Sequence, residues 1–152
     1  MKNKTLVLGI GSPFADDQFA WFVADEVEKL TSSRSDIVVD SADRPGMNLL
    51  SYLNEGYSKI FLIDAVYAKQ KPGTFYHLGA DKIIGFEGFL SSHSIGVSPS
   101  LALAQALKID IINVEFIGVE MERMSEKDSI LSDVVRDAIP VAAEKIMKLV
   151  GL

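Results

Sequence analysis

The sequence contains no cysteine at all. That absence excludes disulfides, thiolate zinc sites, iron–sulfur clusters and a cysteine nucleophile together. Histidine and tryptophan are scarce, with two of the first (His77 and His93) and one of the second (Trp21). Basic charge is short as well: 15 Lys and Arg against 21 Asp and Glu leave a net charge of -6. An acidic chain without a basic stripe repels phosphate, which argues against a nucleic-acid partner. No apolar run approaches the ~18 residues that span a bilayer, so no membrane insertion is expected. The basic start, Met1-Lys2-Asn3-Lys4, leads into an apolar stretch too short for a signal peptide and without a small-residue cleavage pattern. The expected address is the cytoplasm.

What is present is an ordinary globular composition, 48% apolar and 24% charged over 152 residues. A chain of this length buries roughly 68–70% of its unfolded surface, enough for one core without staples. A single domain over 1–152 is expected, with no repeat and no low-complexity linker.

Short β-branched runs alternate with helical patterns. Strands are expected at 5–10, 36–40, 58–64, 74–78 and 113–119. Helices are expected at 16–30, with Phe19, Val23, Val27 and Leu30 on one stripe, and at 46–54, 97–107 and 132–150. Ser132 is placed to cap the last one, and Pro140 should kink it or begin a new segment. Residues 79–96 are glycine-rich and ambiguous. The alternation predicts an α/β fold: three layers, doubly wound, a mostly parallel five-stranded sheet, helices on both faces. The Pro72-Gly73 link is too short for a crossover helix, so strand 74–78 should be antiparallel and at an edge. Right-handed crossovers give the order 36–40, 5–10, 58–64, 113–119, 74–78.

In such sheets ligands bind beyond the carboxyl ends of the strands. Strand 5–10 runs into Gly11-Ser12-Pro13-Phe14-Ala15-Asp16-Asp17, strand 36–40 ends at Asp40, and strand 58–64 ends at Asp64. Ser92-His93-Ser94 precedes the helix at 97. Acidic residues converging on one rim repel one another unless a cation or proton joins them. Each also has a simpler reading: Asp16 or Asp17 as a helix cap, Asp40 and Asp64 as acceptors for loop amides, His93 as a solvated loop residue. Two carboxylates and an imidazole suit a divalent ion such as nickel, zinc or manganese, with a position left open. His77 reads as a strand-edge residue and Trp21 as helix packing.

Gly9-Ile10-Gly11 after a strand begins like a dinucleotide fingerprint, and Asp40 could hold a ribose. Phe14 replaces the third glycine, Pro13 removes an amide, and Asp16 and Asp17 carry the wrong sign for pyrophosphate. The serines beside His93 form no G-x-S-x-G elbow.

The ordered set of motifs is more specific than any one of them. Leu6-Val7-Leu8-Gly9-Ile10-Gly11-Ser12-Pro13 with Asp16-Asp17, then Phe61-Leu62-Ile63-Asp64-Ala65, Pro72-Gly73-Thr74, Ser92-His93-Ser94-Ile95-Gly96 and Phe116-Ile117-Gly118-Val119 resemble the [NiFe]-hydrogenase maturation proteases. The resemblance implies an endopeptidase that removes the C-terminal extension of the hydrogenase large-subunit precursor after nickel insertion. By position it implies Asp17, Asp64 and His93 as the catalytic, metal-contacting residues, and Asp40, Asp43 and Gly46 as substrate contacts. The nickel would arrive with the substrate, and zinc or cadmium could occupy the same site in vitro. A monomer is expected. The segments Gln18-Phe19-Ala20-Trp21 and Asp43-Arg44-Pro45 depart from the family's glycine-rich pattern, and the first loop is one residue shorter, so Asp16 is the alternative to Asp17. The rival readings are a metal-sensing module without hydrolysis and a nucleotide-binding domain.

Overall fold

The computed structural model describes residues 3–45, 48–84, 89–90, 97–122 and 129–151. Three strands form the centre because they are apolar on both faces. They are β1 (Thr5–Gly11), β3 (Lys59–Tyr67) and β6 (Val114–Glu120). Alternate side chains of each point to opposite sides. Val7, Phe61, Ile63 and Ile117 enter one core, Leu8, Ile60, Leu62 and Phe116 the other. A strand that is apolar on both faces must be covered twice, and helices do so here. The first core lies under α1 (Phe19–Thr31) and α5 (Asp133–Leu149). The second lies under α2 (Leu49–Leu53), α3 (Ala80–Ile84) and α4 (Val97–Ala106).

The order is β2-β1-β3-β6-β4, with β2 (Ile37–Asp43) and β4 (Phe75–Gly79) at the edges. β1 pairs in parallel with β2 and β3, and β3 with β6; β4 runs antiparallel to β6. This is the order expected from the sequence, including the antiparallel edge after Pro72-Gly73. The ambiguous stretch holds α3 and a further two-residue strand, β5 (Phe89–Leu90), antiparallel to the end of β3.

Several local expectations are corrected. The first helical segment is two elements: a 3-10 turn, Ala15–Gln18, then α1. Leu30, placed on the buried stripe, is 56% exposed. In the same last turn Thr31 is buried instead, its hydroxyl donating to Val27 O at 2.7 Å. β2 runs three residues past Asp40, β3 runs three residues past Asp64, which therefore lies inside the strand rather than at its end, and β6 includes Glu120. α5 passes through Pro140 as one helix rather than beginning anew there. Ser132 has the extended backbone of an N-cap but its side chain makes no cap bond. Trp21 packs as read, its indole N–H donating to Ala42 O at 3.0 Å and tying α1 to β2.

Candidate active site

The parallel pairing of β1 and β3 runs up to Gly9 opposite Ile63, so Asp64 follows directly on the last residue of β3 that pairs with β1. The 3-10 turn packs on β3. Two glycines make that seating possible. A Cβ on Gly11 would lie 2.2 Å from the carbonyl oxygen of Asp17, and one on Gly9 would lie 2.5 Å from that of Ala20. Both are far inside contact distance, so the space glycine leaves open is filled by backbone of the turn and of α1. The Gly-x-Gly pair therefore serves helix seating in this chain.

The turn itself is held tightly. Ala15 takes a left-handed φ of 42° although it carries a side chain. Asp17 N–H donates to Phe14 O at 3.0 Å, and Ser12 N–H donates to Asp17 O at 3.2 Å. The Ser12 hydroxyl donates to Asp17 Oδ2. Asp17 is buried at the rim. Asp64 is wholly buried within the neighbouring strand, just past Ile63, its Oδ1 accepting from Ala65 N–H at 2.9 Å.

Neither Asp16 nor Asp17 is a helix cap: no side chain caps the turn, and none caps α1. Asp16 reaches far along the chain instead. Its Oδ1 accepts from Ser132 N–H at 2.7 Å, and its Oδ2 accepts from Glu122 N–H and the Ser132 hydroxyl, both at 2.9 Å.

Asp40 is exposed on β2, accepting from Ser41 N–H at 2.8 Å and the Tyr52 hydroxyl at 3.1 Å. Burial, and then that bond to Asp40, raises the Tyr52 pKa above the usual tyrosine value. Asp43 pairs in register with Gly11 and forms an ion pair with Arg44 at 2.7 Å. Arg44 N–H donates to Gly11 O at 3.0 Å, and its guanidinium lies 5.9 Å from the centre of the Phe14 ring. Thus Asp43 borders the turn that carries Asp17, whereas Asp40 stands opposite Leu8, lower on the sheet.

His93 and Gly46 lie outside the described residues. Among the described residues no group of three His, Asp or Glu side chains is placed to hold a metal. His77 stands on the edge strand β4, two strands from β3 and exposed, with Nε2 2.5 Å from Glu115 Oε1. Lys59, at the start of β3, pairs with the other oxygen of Glu115.

One acid near the rim escaped the sequence reading. Glu120 is 1% exposed at the end of β6, opposite Val66 and on the Asp64 side of the sheet. Its carboxylate accepts from the Tyr76 hydroxyl at 2.6 Å and from Ala68 N–H at 2.9 and 3.1 Å. Burial first, then the bond to Glu120 and its charge, push the Tyr76 pKa well up. The available signal was an acid closing the apolar run of β6.

The sequence model of the hydrogenase maturation protease family (HycI) matches residues 23–149. A protein of Methanocaldococcus jannaschii, provisionally named a hydrogenase maturation protease, is 25% identical over 148 residues, covering 96% of each chain. Among solved structures, the hydrogenase maturating endopeptidase HybD of E. coli superposes with a TM-score of 0.81 at 21% identity, covering 97% of this chain and 94% of that one. The [NiFe] hydrogenase maturation protease HybD of Thermococcus kodakarensis gives 0.70 at 22%, covering 96% and 98%.

Proposed function

The chain belongs to the hydrogenase maturation protease family and is a hydrolase of peptide bonds, and from that premise we propose its substrate and site. The substrate is the nickel-loaded precursor of a [NiFe]-hydrogenase large subunit, whose C-terminal extension is removed. Asp17, Asp64 and His93 contact the nickel, which belongs to the substrate. The enzyme works as a monomer in the cytoplasm. Among the described residues no helix is long and apolar enough to cross a membrane.

The observation that carries this reading is the pair Asp17 and Asp64, two buried acids from separate segments, one in the 3-10 turn that packs on β3 and one within β3 itself. A cation beside a carboxylate favours its charged form, and the substrate's nickel supplies one. His93 precedes α4, which packs on α2 and α3 over the same core as Leu62 and Val66, the strand neighbours of Asp64 on its face. Two carboxylates and an imidazole suit a borderline divalent ion.

Hydrolysis then requires water to add to the scissile carbonyl carbon, the C–N bond to break and the leaving amine to gain a proton. A carboxylate at the rim takes the water proton as general base. Docking of the nickel sets the register of the peptide, so that cleavage follows metal insertion. Asp40, Asp43 and Gly46 contact the peptide; of these, Asp43 stands opposite Gly11 beside the turn and Asp40 opposite Leu8.

Incubation of the enzyme with nickel-loaded and nickel-free precursor, read by mass spectrometry, tests the proposal. Loss of the extension from the loaded precursor alone is expected. Cleavage of both forms, or of neither, overturns it.

A further inference from the structure

Resting on the reading that Asp17 contacts the substrate's metal, we propose that Asp16 is a positioning residue that aims Asp17 by bolting its turn to the connection between β6 and α5. Asp16 is 0% exposed, yet its partners lie 106 and 116 positions away in the sequence. They are Glu122 N–H, just past β6, and the N–H and hydroxyl of Ser132, just before α5. Gln18, on the other side of Asp17, donates from Nε2 to Ser129 O at 2.7 Å and to Ala15 O at 3.0 Å. Both neighbours of Asp17 are thus tied to one remote segment, while Asp17 itself bonds locally to Ser12.

A helix cap would have needed only local amides. A left-handed alanine at position 15 persists only where the surroundings over-determine the backbone, and such strain gathers where geometry matters. Groups that orient a metal-contacting side chain matter nearly as much as the side chain itself. Charge is essential to the clamp. Ser132 N–H addresses Oδ1 and Glu122 N–H addresses Oδ2, so the amide of an Asn would oppose one donor in either orientation. Asp16→Asn must break one anchor and free the turn while leaving Asp17 chemically intact.

The test compares wild type, Asp16→Asn and Ser132→Ala, each confirmed folded at 25 °C by circular dichroism. Nickel(II) chloride affinity is measured by calorimetry, the Asp17 carboxyl carbon by NMR of 13C-aspartate-labelled protein, and precursor cleavage by steady-state kinetics. Asp16→Asn should weaken nickel binding about tenfold or more, shift the Asp17 signal and lower kcat with KM little changed. Ser132→Ala keeps the N–H donor and should move all readouts less, in the same direction. A folded Asp16→Asn with wild-type nickel affinity and an unmoved Asp17 signal overturns the proposal. If Asp16→Asn does not fold, Ser132→Ala decides alone, and wild-type values there overturn it. A wild-type protein that neither binds nickel nor cleaves precursor, but whose Asp17 signal still moves in Asp16→Asn, refutes the metal reading and leaves the positioning role standing.

Discussion

Glu120 offers the sharpest stability test of the rim. Its carboxylate is the shared acceptor for the Tyr76 hydroxyl on β4 and Ala68 N–H at the end of β3, so it ties the connection between those strands to β6. Glu120→Ala leaves both donors facing a buried space. A hydrogen bond to a charged group contributes about 1.5–3 kcal/mol. The substitution also removes the burial cost of the carboxylate, so the lower end of the combined loss, about 3 kcal/mol, is expected. For a chain of this size that lowers Tm by roughly 6–12 °C. Tyr76→Phe deletes one donor only and should cost about half as much. Because the two residues touch, the double mutant should fall short of additivity by about 1–2 kcal/mol. Urea unfolding followed by circular dichroism measures all three variants. The tyrosine adds a pH signature. Its folded pKa is raised, so above pH ~10 the unfolded chain loses a proton that the folded chain keeps. The bond's contribution is therefore complete below pH ~10 and is lost as pH climbs beyond it. Tyr76→Phe should shallow that alkaline slope, with Tyr52 and Tyr57, also raised by burial, retaining part of it. A Glu120→Ala protein within ~0.5 kcal/mol of wild type, the range of ordinary surface changes, refutes the clamp. So does an alkaline slope that Tyr76→Phe leaves unaltered.

Asp17→Asn, Asp64→Asn and His93→Ala should each abolish release of the extension by mass spectrometry while unfolding stays cooperative by circular dichroism; retained cleavage in any of them removes that residue from the site. Gly11→Ala drives a methyl into the Asp17 carbonyl, so it should cost about 1–3 kcal/mol in urea unfolding and, by displacing Asp17, eliminate cleavage as well. At the far end of the sheet, burial pushes the Glu115 pKa up, but the bonds from Lys59 and His77 outweigh it and the net shift is downward. Its stabilisation is present above the ordinary glutamate value of about 4.3 and is lost as pH falls below it. Glu115→Gln should therefore flatten the acid limb of the stability curve without touching cleavage at neutral pH.

The apolar runs of β1, β3 and β6 were legible because a strand buried on both faces has nowhere to place a polar residue. The antiparallel edge was legible because Pro72-Gly73 spans too little chain for a crossover. An acid within such a run, as Asp64 is between Ile63 and Ala65, stands out for the same reason. Periodicity could not distinguish Leu30 from the buried stripe, because exposure there depends on which residues of the last turn meet the rest of the fold. Nor could it read 79–96, where α3 is five residues and β5 two. The division of labour between Asp16 and Asp17 was beyond the sequence. Adjacent residues in one turn carry identical chemistry, and what separates them is donors supplied by Glu122 and Ser132 on Asp16 and by Ser12 on Asp17. Ser132 illustrates the same limit: its pattern is that of a local cap, but the buried carboxylate of Asp16 lies within reach and takes its hydroxyl. Composition and spacing set which elements form and in what order, since these depend on neighbours in the chain. Which carboxylate meets which donor depends on neighbours in space, and these exist only once β1, β6 and α5 have packed.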